Sequence, residues 1–158
     1  MAAATSSPVN PGMRKPITWP AGRAAWWASL LSSAMARILL IEDNDALRAM
    51  LAELLGLNGH TVVEAGNGRD GLDLFRQAGA DLVITDLVMP EIEGLEVVRQ
   101  LRSADSPVNV IAISGGGRAS AAVYLEAARL LGAARVLHKP FTTAALLAAI
   151  DELLPGDR

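Results

Sequence analysis

Leu82-Val83-Ile84-Thr85-Asp86-Leu87-Val88-Met89-Pro90 decides the fold. Large aliphatic side chains without polar alternation read as a strand buried on both faces, and the proline stops its extension. Asp86 therefore stands at the carboxyl end of a buried strand. Three other apolar runs also end in reactive groups: Ile38-Leu39-Leu40-Ile41 in Glu42-Asp43, Val110-Ile111-Ala112-Ile113 in Ser114, and Val136-Leu137-His138 in Lys139-Pro140. In an open α/β sheet, ligands bind outside the carboxyl ends of the strands, so these groups are expected to converge. Three acids, a hydroxyl and an ammonium suit a divalent metal and a phosphoryl group.

Between these runs the chain alternates strand and helix five times. Leu47, Met50, Leu51, Leu54 and Leu55 repeat at helical spacing, and Asn58-Gly59 supplies a left-handed stop. A strand from Thr61 to Glu64 and a helix from about Arg69 to Ala78 follow. Beyond the Asp86 strand come helices over Gly94 to Arg102 and about Ala119 to Leu131, the latter ended by Gly132. The last helix carries Leu146, Leu147, Ile150, Leu153 and Leu154 on its apolar stripe. Apolar strands separated by helices predict an α/β fold, a doubly wound five-stranded parallel sheet with helices on both faces.

Composition removes several chemistries. The 158 residues include no cysteine and two histidines, which excludes disulfides, thiolate catalysis and His-rich or Cys-ligated metal sites. Residues 37 to 158 carry 11 basic and 17 acidic side chains, an acidic balance that argues against a nucleic-acid surface. Lysine occurs only at 15 and 139, against 12 arginines, so this region keeps one compact point charge, where a small anion would bind.

The strand-end set Glu42-Asp43, Asp86, Ser114 and Lys139-Pro140 strongly resembles the receiver domain of two-component response regulators, over about Arg37 to Leu154. The resemblance implies the flavodoxin-like strand order 2-1-3-4-5 and a cis Lys139-Pro140 bond. It also implies Asp86 as phosphoacceptor, with Glu42, Asp43, Asp86 and the Val88 backbone carbonyl around a magnesium ion. Ser114 and Lys139 would bind the phosphoryl oxygens. A covalent aspartyl phosphate is chemically accessible to such a carboxylate, and a divalent cation would offset the repulsion between donor and acid cluster.

The expected function is that of a bacterial, cytoplasmic, single-domain response regulator. It would receive its phosphoryl group from a sensor histidine kinase or phosphotransfer protein and signal by binding an unknown downstream protein, with neither nucleic acid nor membrane as partner. Catalysis would extend only to its own phosphorylation and dephosphorylation. A phosphorelay intermediate or phosphate sink without effector would use the same residues. A phosphotransferase or phosphatase acting on a diffusible substrate fits less well, because Val88 stands where such an enzyme needs an acid two residues beyond the nucleophile.

The chain departs from the family pattern in three places. Glu42 replaces the commoner aspartate, Val136 takes the place of a frequent aromatic switch residue, and Gly115-Gly116-Gly117-Arg118 follows Ser114, as in stand-alone receivers. Without the aromatic, the response is expected in the Ser114 to Arg118 loop, whose glycines carry little steric restraint. Gly66-Asn67-Gly68-Arg69-Asp70-Gly71 matches a dinucleotide fingerprint but follows the second strand, whereas that motif belongs after the first. His60 and His138 read as structural.

The expected boundaries are a tail over residues 1–35 and a receiver domain over 36–155. Arg14, Lys15 and Arg23 make the tail basic, and its first 23 residues have a disordered composition. Its apolar stretch Ala24 to Ala34, with Trp26 and Trp27, is too short to cross a bilayer, which takes about 20 residues. Met35-Ala36-Arg37 leads straight into the first strand, so Met35 is expected to be the start of the native protein, with a targeting or partner-binding tail as the alternative.

Overall fold

The computed structural model describes residues 35–89, 94–104, 106–115 and 118–154. The expectations for the tail up to residue 34, and those for Pro90, Gly116, Gly117 and the Arg118 side chain, lie outside the described residues. Five strands and five helices alternate: β1 (Arg37–Ile41), α1 (Asp45–Leu57), β2 (Thr61–Ala65), α2 (Gly68–Ala78), β3 (Leu82–Asp86), α3 (Gly94–Ser103), β4 (Asn109–Ser114), α4 (Arg118–Leu130), β5 (Arg135–His138) and α5 (Thr143–Leu153). All strand pairs are parallel, in the order β2-β1-β3-β4-β5. Fold class, order and helix placement match the sequence expectation, with bounds moved by one residue.

Alternation along each strand divides the core in two. Ile38 and Leu40 of β1 face Leu51 and Leu55 of α1 and Leu146 and Ile150 of α5. Leu39 and Ile41 face the opposite layer, with Leu72 of α2, Val97, Val98 and Leu101 of α3, and Ala128 of α4. Burial on both faces disfavours charged side chains along a strand, so the reactive groups collect at the strand ends.

Asparagine and threonine start three of the helices. Asn44, Asn67 and Thr142 accept the backbone N–H of Leu47, Asp70 and Ala145, and each such cap contributes about 1 kcal/mol. Gly59 closes the turn after α1 at φ 88°, the left-handed conformation its position demands. The glycine fingerprint is thereby accounted for: Asn67 caps α2, and at Gly71 a β-carbon would strike the Ile41 side chain, so this glycine lets α2 lie close on β1. The Lys139-Pro140 bond is cis.

Candidate phosphoryl and metal site

Strand register fixes the site. Ile41 pairs with both Ala65 and Thr85, Asp86 pairs with Ile113, and Ser114 with His138, so the ends of β1, β3, β4 and β5 form one rim. The strand order reverses between β1 and β3, and Glu42 and Asp86 flank that switch point, where neighbouring connections diverge and leave a crevice. Among the described residues, the buried polar or charged ones are Glu42, Thr85, Asp86 and Ser114, and all four lie on this rim. Burying such groups is costly unless they are partnered.

Their chief partner is Lys139. Its Nζ lies 2.5 Å from Asp86 Oδ2 and 2.8 Å from Glu42 Oε2, so one ammonium serves two carboxylates. The other Asp86 oxygen, Oδ1, accepts the Val88 N–H at 3.0 Å. Glu42 Oε1 accepts the Asn44 N–H at 3.2 Å. Asp43 is exposed, yet Glu42, Asp43 and Asp86 each place a ligand oxygen within 4.8 Å of the others, a grouping that could hold a metal ion. Oxygen-only donors are the set a hard divalent cation takes.

The charge balance favours a cation. Burial pushes the Glu42 carboxyl above the usual range, and the Asp86 charge adds to this, while the hydrogen bonds from Lys139 and Asn44 only partly oppose it. Burial also works against the Lys139 charge, but its two carboxylate partners together raise the ammonium above its ordinary value. The two directions agree physically: Lys139 gains from both acids, whereas Glu42 receives only a share of one ammonium. The site is thus short of positive charge.

The other sequence-predicted residues fall at the same place. Ser114 is fully buried, with Oγ 3.4 Å from the Gly115 carbonyl it donates to, and its own carbonyl accepts the Lys139 N–H at 2.8 Å. Val88 adjoins the cluster through its N–H. Val136 is half-buried against the α2–α4 layer. Gly115 lets the Lys139 stem pass, because a β-carbon there would lie 3.2 Å from Lys139 Cδ.

Sequence reasoning missed three supporting residues. Asn44 caps α1 and also holds Glu42 Oε1; an Asn immediately ahead of a helical apolar repeat was the available signal. Gly94 begins α3 directly against the Asp86 and Leu87 backbone, where any β-carbon would collide with the Asp86 carbonyl. Arg48 donates from Nη1 to the Glu42 carbonyl at 2.7 Å, and only its spacing from Asp45 hinted at a partner.

Comparison with known proteins agrees with this geometry. A family model described as the response regulator receiver domain matches residues 38–151. The response regulator MprA of Mycolicibacterium vanbaalenii is 39% identical over 119 residues, which cover 75% of this chain and 50% of that protein. The chain thus spans about half the length of curated relatives of this kind. A response regulator receiver domain protein from Clostridium thermocellum superposes with a TM-score of 0.69 at 30% identity, covering 75% of this chain and 93% of that one. The chemotaxis protein CheY4 of Vibrio cholerae does so with a TM-score of 0.68 at 27% identity, covering 77% of this chain and 100% of its own. On sequence and fold together, this chain belongs to the response regulator receiver domain family.

Proposed function

We propose that the protein is a single-domain response regulator of a bacterial two-component pathway, phosphorylated on Asp86 by a sensor histidine kinase or phosphotransfer protein and acting through phosphorylation-controlled binding of a downstream protein. The observation that carries this reading is the convergence of buried Glu42 and Asp86 with exposed Asp43 and part-buried Lys139 on one cation-deficient rim. In the proposed step an Asp86 carboxylate oxygen bonds to phosphorus while the phosphorus–nitrogen bond of the donor phosphohistidine breaks. The electron pair leaves with the imidazole, which takes up a proton.

Glu42, Asp43, Asp86 and the Val88 carbonyl are the groups that would hold magnesium, and the donor set fits that hard cation. When bound, it would supply charge neutralisation between the incoming phosphoryl oxygens and the acids. Lys139 is placed to follow the charge as it moves from the carboxylate to the phosphoryl oxygens, and Ser114 to donate to one of them. Added phosphate would bring about 1.5 to 2 negative charges to the rim, enough to bias the surface of α4, β5 and α5 toward another state.

The reading places the protein in the cytoplasm with protein partners only and gives it no reaction beyond its own phosphorylation and dephosphorylation. No helix among the described residues is long and apolar enough to cross a membrane.

The decisive experiment is incubation with magnesium and acetyl phosphate followed by intact-mass measurement. The wild type should gain one phosphoryl group and Asp86→Asn none. Labelling of that variant at the wild-type rate would sink the assignment.

A further inference from the structure

We propose that Arg48, on the first turn of α1, is a positioning residue for the metal site, holding the Glu42-Asp43 segment so that its carboxylates face Asp86. The inference rests on the phosphoreceiver reading above and goes beyond it by assigning a role to a residue outside the acid, hydroxyl and ammonium set.

The guanidinium joins three elements. Nη1 donates to the Glu42 carbonyl at 2.7 Å, Nη2 to Asp45 Oδ1 at 2.7 Å, and Nε lies 3.6 Å from Glu64 Oε2 on β2. Its side chain is only 19% exposed, whereas Asp45 and Glu64 are 89% and 46% exposed, so of the three contacts the one to the Glu42 carbonyl is the shielded one. Gly66 leaves it room, since a β-carbon there would lie 3.3 Å from Nη1.

The contact to Glu42 is the one that matters. Glu42 N–H still follows the sheet, donating to the Ala65 carbonyl at 3.1 Å, and Asn44 already caps α1. Glu42 and Asp43 therefore span a two-residue passage from strand to helix, and the Glu42 carbonyl points its lone pairs at Arg48. Groups that orient metal ligands typically change affinity 10- to 100-fold when removed.

Electrostatics alone predicts the opposite sign, because deleting a cation near three carboxylates should tighten binding of another cation. That opposition makes the proposal sharp. Calorimetric titration of the metal-free protein with magnesium chloride should show Arg48→Met binding about tenfold more weakly than wild type. Arg48→Lys, which keeps the charge and one donor, should recover part of the loss. Glu64→Gln, which removes only the outer ion pair, should stay near wild type. Melting curves without magnesium separate position from stability.

Magnesium affinity unchanged or tighter in Arg48→Met, even with a lower melting temperature, would overturn the proposal. If Arg48→Met is too unstable to titrate, Arg48→Lys decides: about threefold weaker binding supports the positioning role, and wild-type affinity overturns it. Asp43→Asn serves as the control for the underlying reading. Should that variant bind magnesium as well as wild type, the site assignment itself fails, whatever Arg48 does.

Discussion

The two ends of the sheet treat polar groups in opposite ways. At the amino ends, each acid or carbonyl has its own donor: the Arg37 N–H donates to Asp81 at 2.7 Å, Asn109 Nδ2 to the Leu153 carbonyl at 3.0 Å, and Arg135 to Glu152 at 2.7 Å and to the Ala134 carbonyl at 2.8 Å. At the carboxyl ends, one ammonium is divided between two buried carboxylates, with a third acid alongside. Balanced pairs close a structure, whereas a surplus of one sign keeps it open to a ligand. The difference sets the carboxyl end of the sheet apart as the candidate site.

The largest expected effect comes from removing the shared charge. Lys139→Met should cost about 2 kcal/mol in urea unfolding without metal, since it strands two buried carboxylates, and millimolar magnesium should restore most of the loss. A cost below about 0.5 kcal/mol, the size of a surface pair, would erase the distinction between the two ends. Next, magnesium should raise the wild-type melting temperature, and Asp43→Asn should remove much of that gain. A tenfold weaker site loses about 1.4 kcal/mol of ligand stabilisation. An undiminished shift would take Asp43 out of the metal site.

At the opposite end, Arg135→Met should change stability by no more than about 0.5 kcal/mol, because both partners are about half exposed. A large loss there would mean that the amino ends are as strained as the rim. The smallest effect concerns His60, whose buried Nδ1 has no partner among the described residues and whose ring is held below its usual pKa by burial, with Asp151 opposing. Its lowered native pKa makes the unfolded chain take up the proton first. Wild type should therefore match His60→Gln above about pH 6.5 and lose stability relative to it as pH falls from there toward the lowered native value, below which the loss levels off. Parallel denaturation curves at pH 7.5 and 5.5 check the sign.

The rim residues were legible because each stands at or just past the carboxyl end of an apolar run. Helix positions were legible from their apolar spacing. What escaped were side-chain partnerships that only the folded geometry defines. Nothing in the sequence says that Lys139 bridges Glu42 and Asp86, 97 and 53 residues away. Arg48 looks like an ordinary helix-surface charge until β2 is laid beside β1. Gly94 reads as the first residue of a helix, and only the close approach of that helix to the Asp86 carbonyl explains why no side chain fits.

The solitary lysine has a consequence for reactivity. Of the lysines in the chain, only Lys139 lies beyond residue 15, and its ammonium is wedged between two carboxylates. Burial opposes its charge, but the two carboxylates raise its pKa, which lowers the fraction of free amine that can attack an acylating reagent. Drawing the ammonium away from Glu42 and Asp86 would remove that bias, so the reactivity of this one lysine amine should report whether the rim contacts are made.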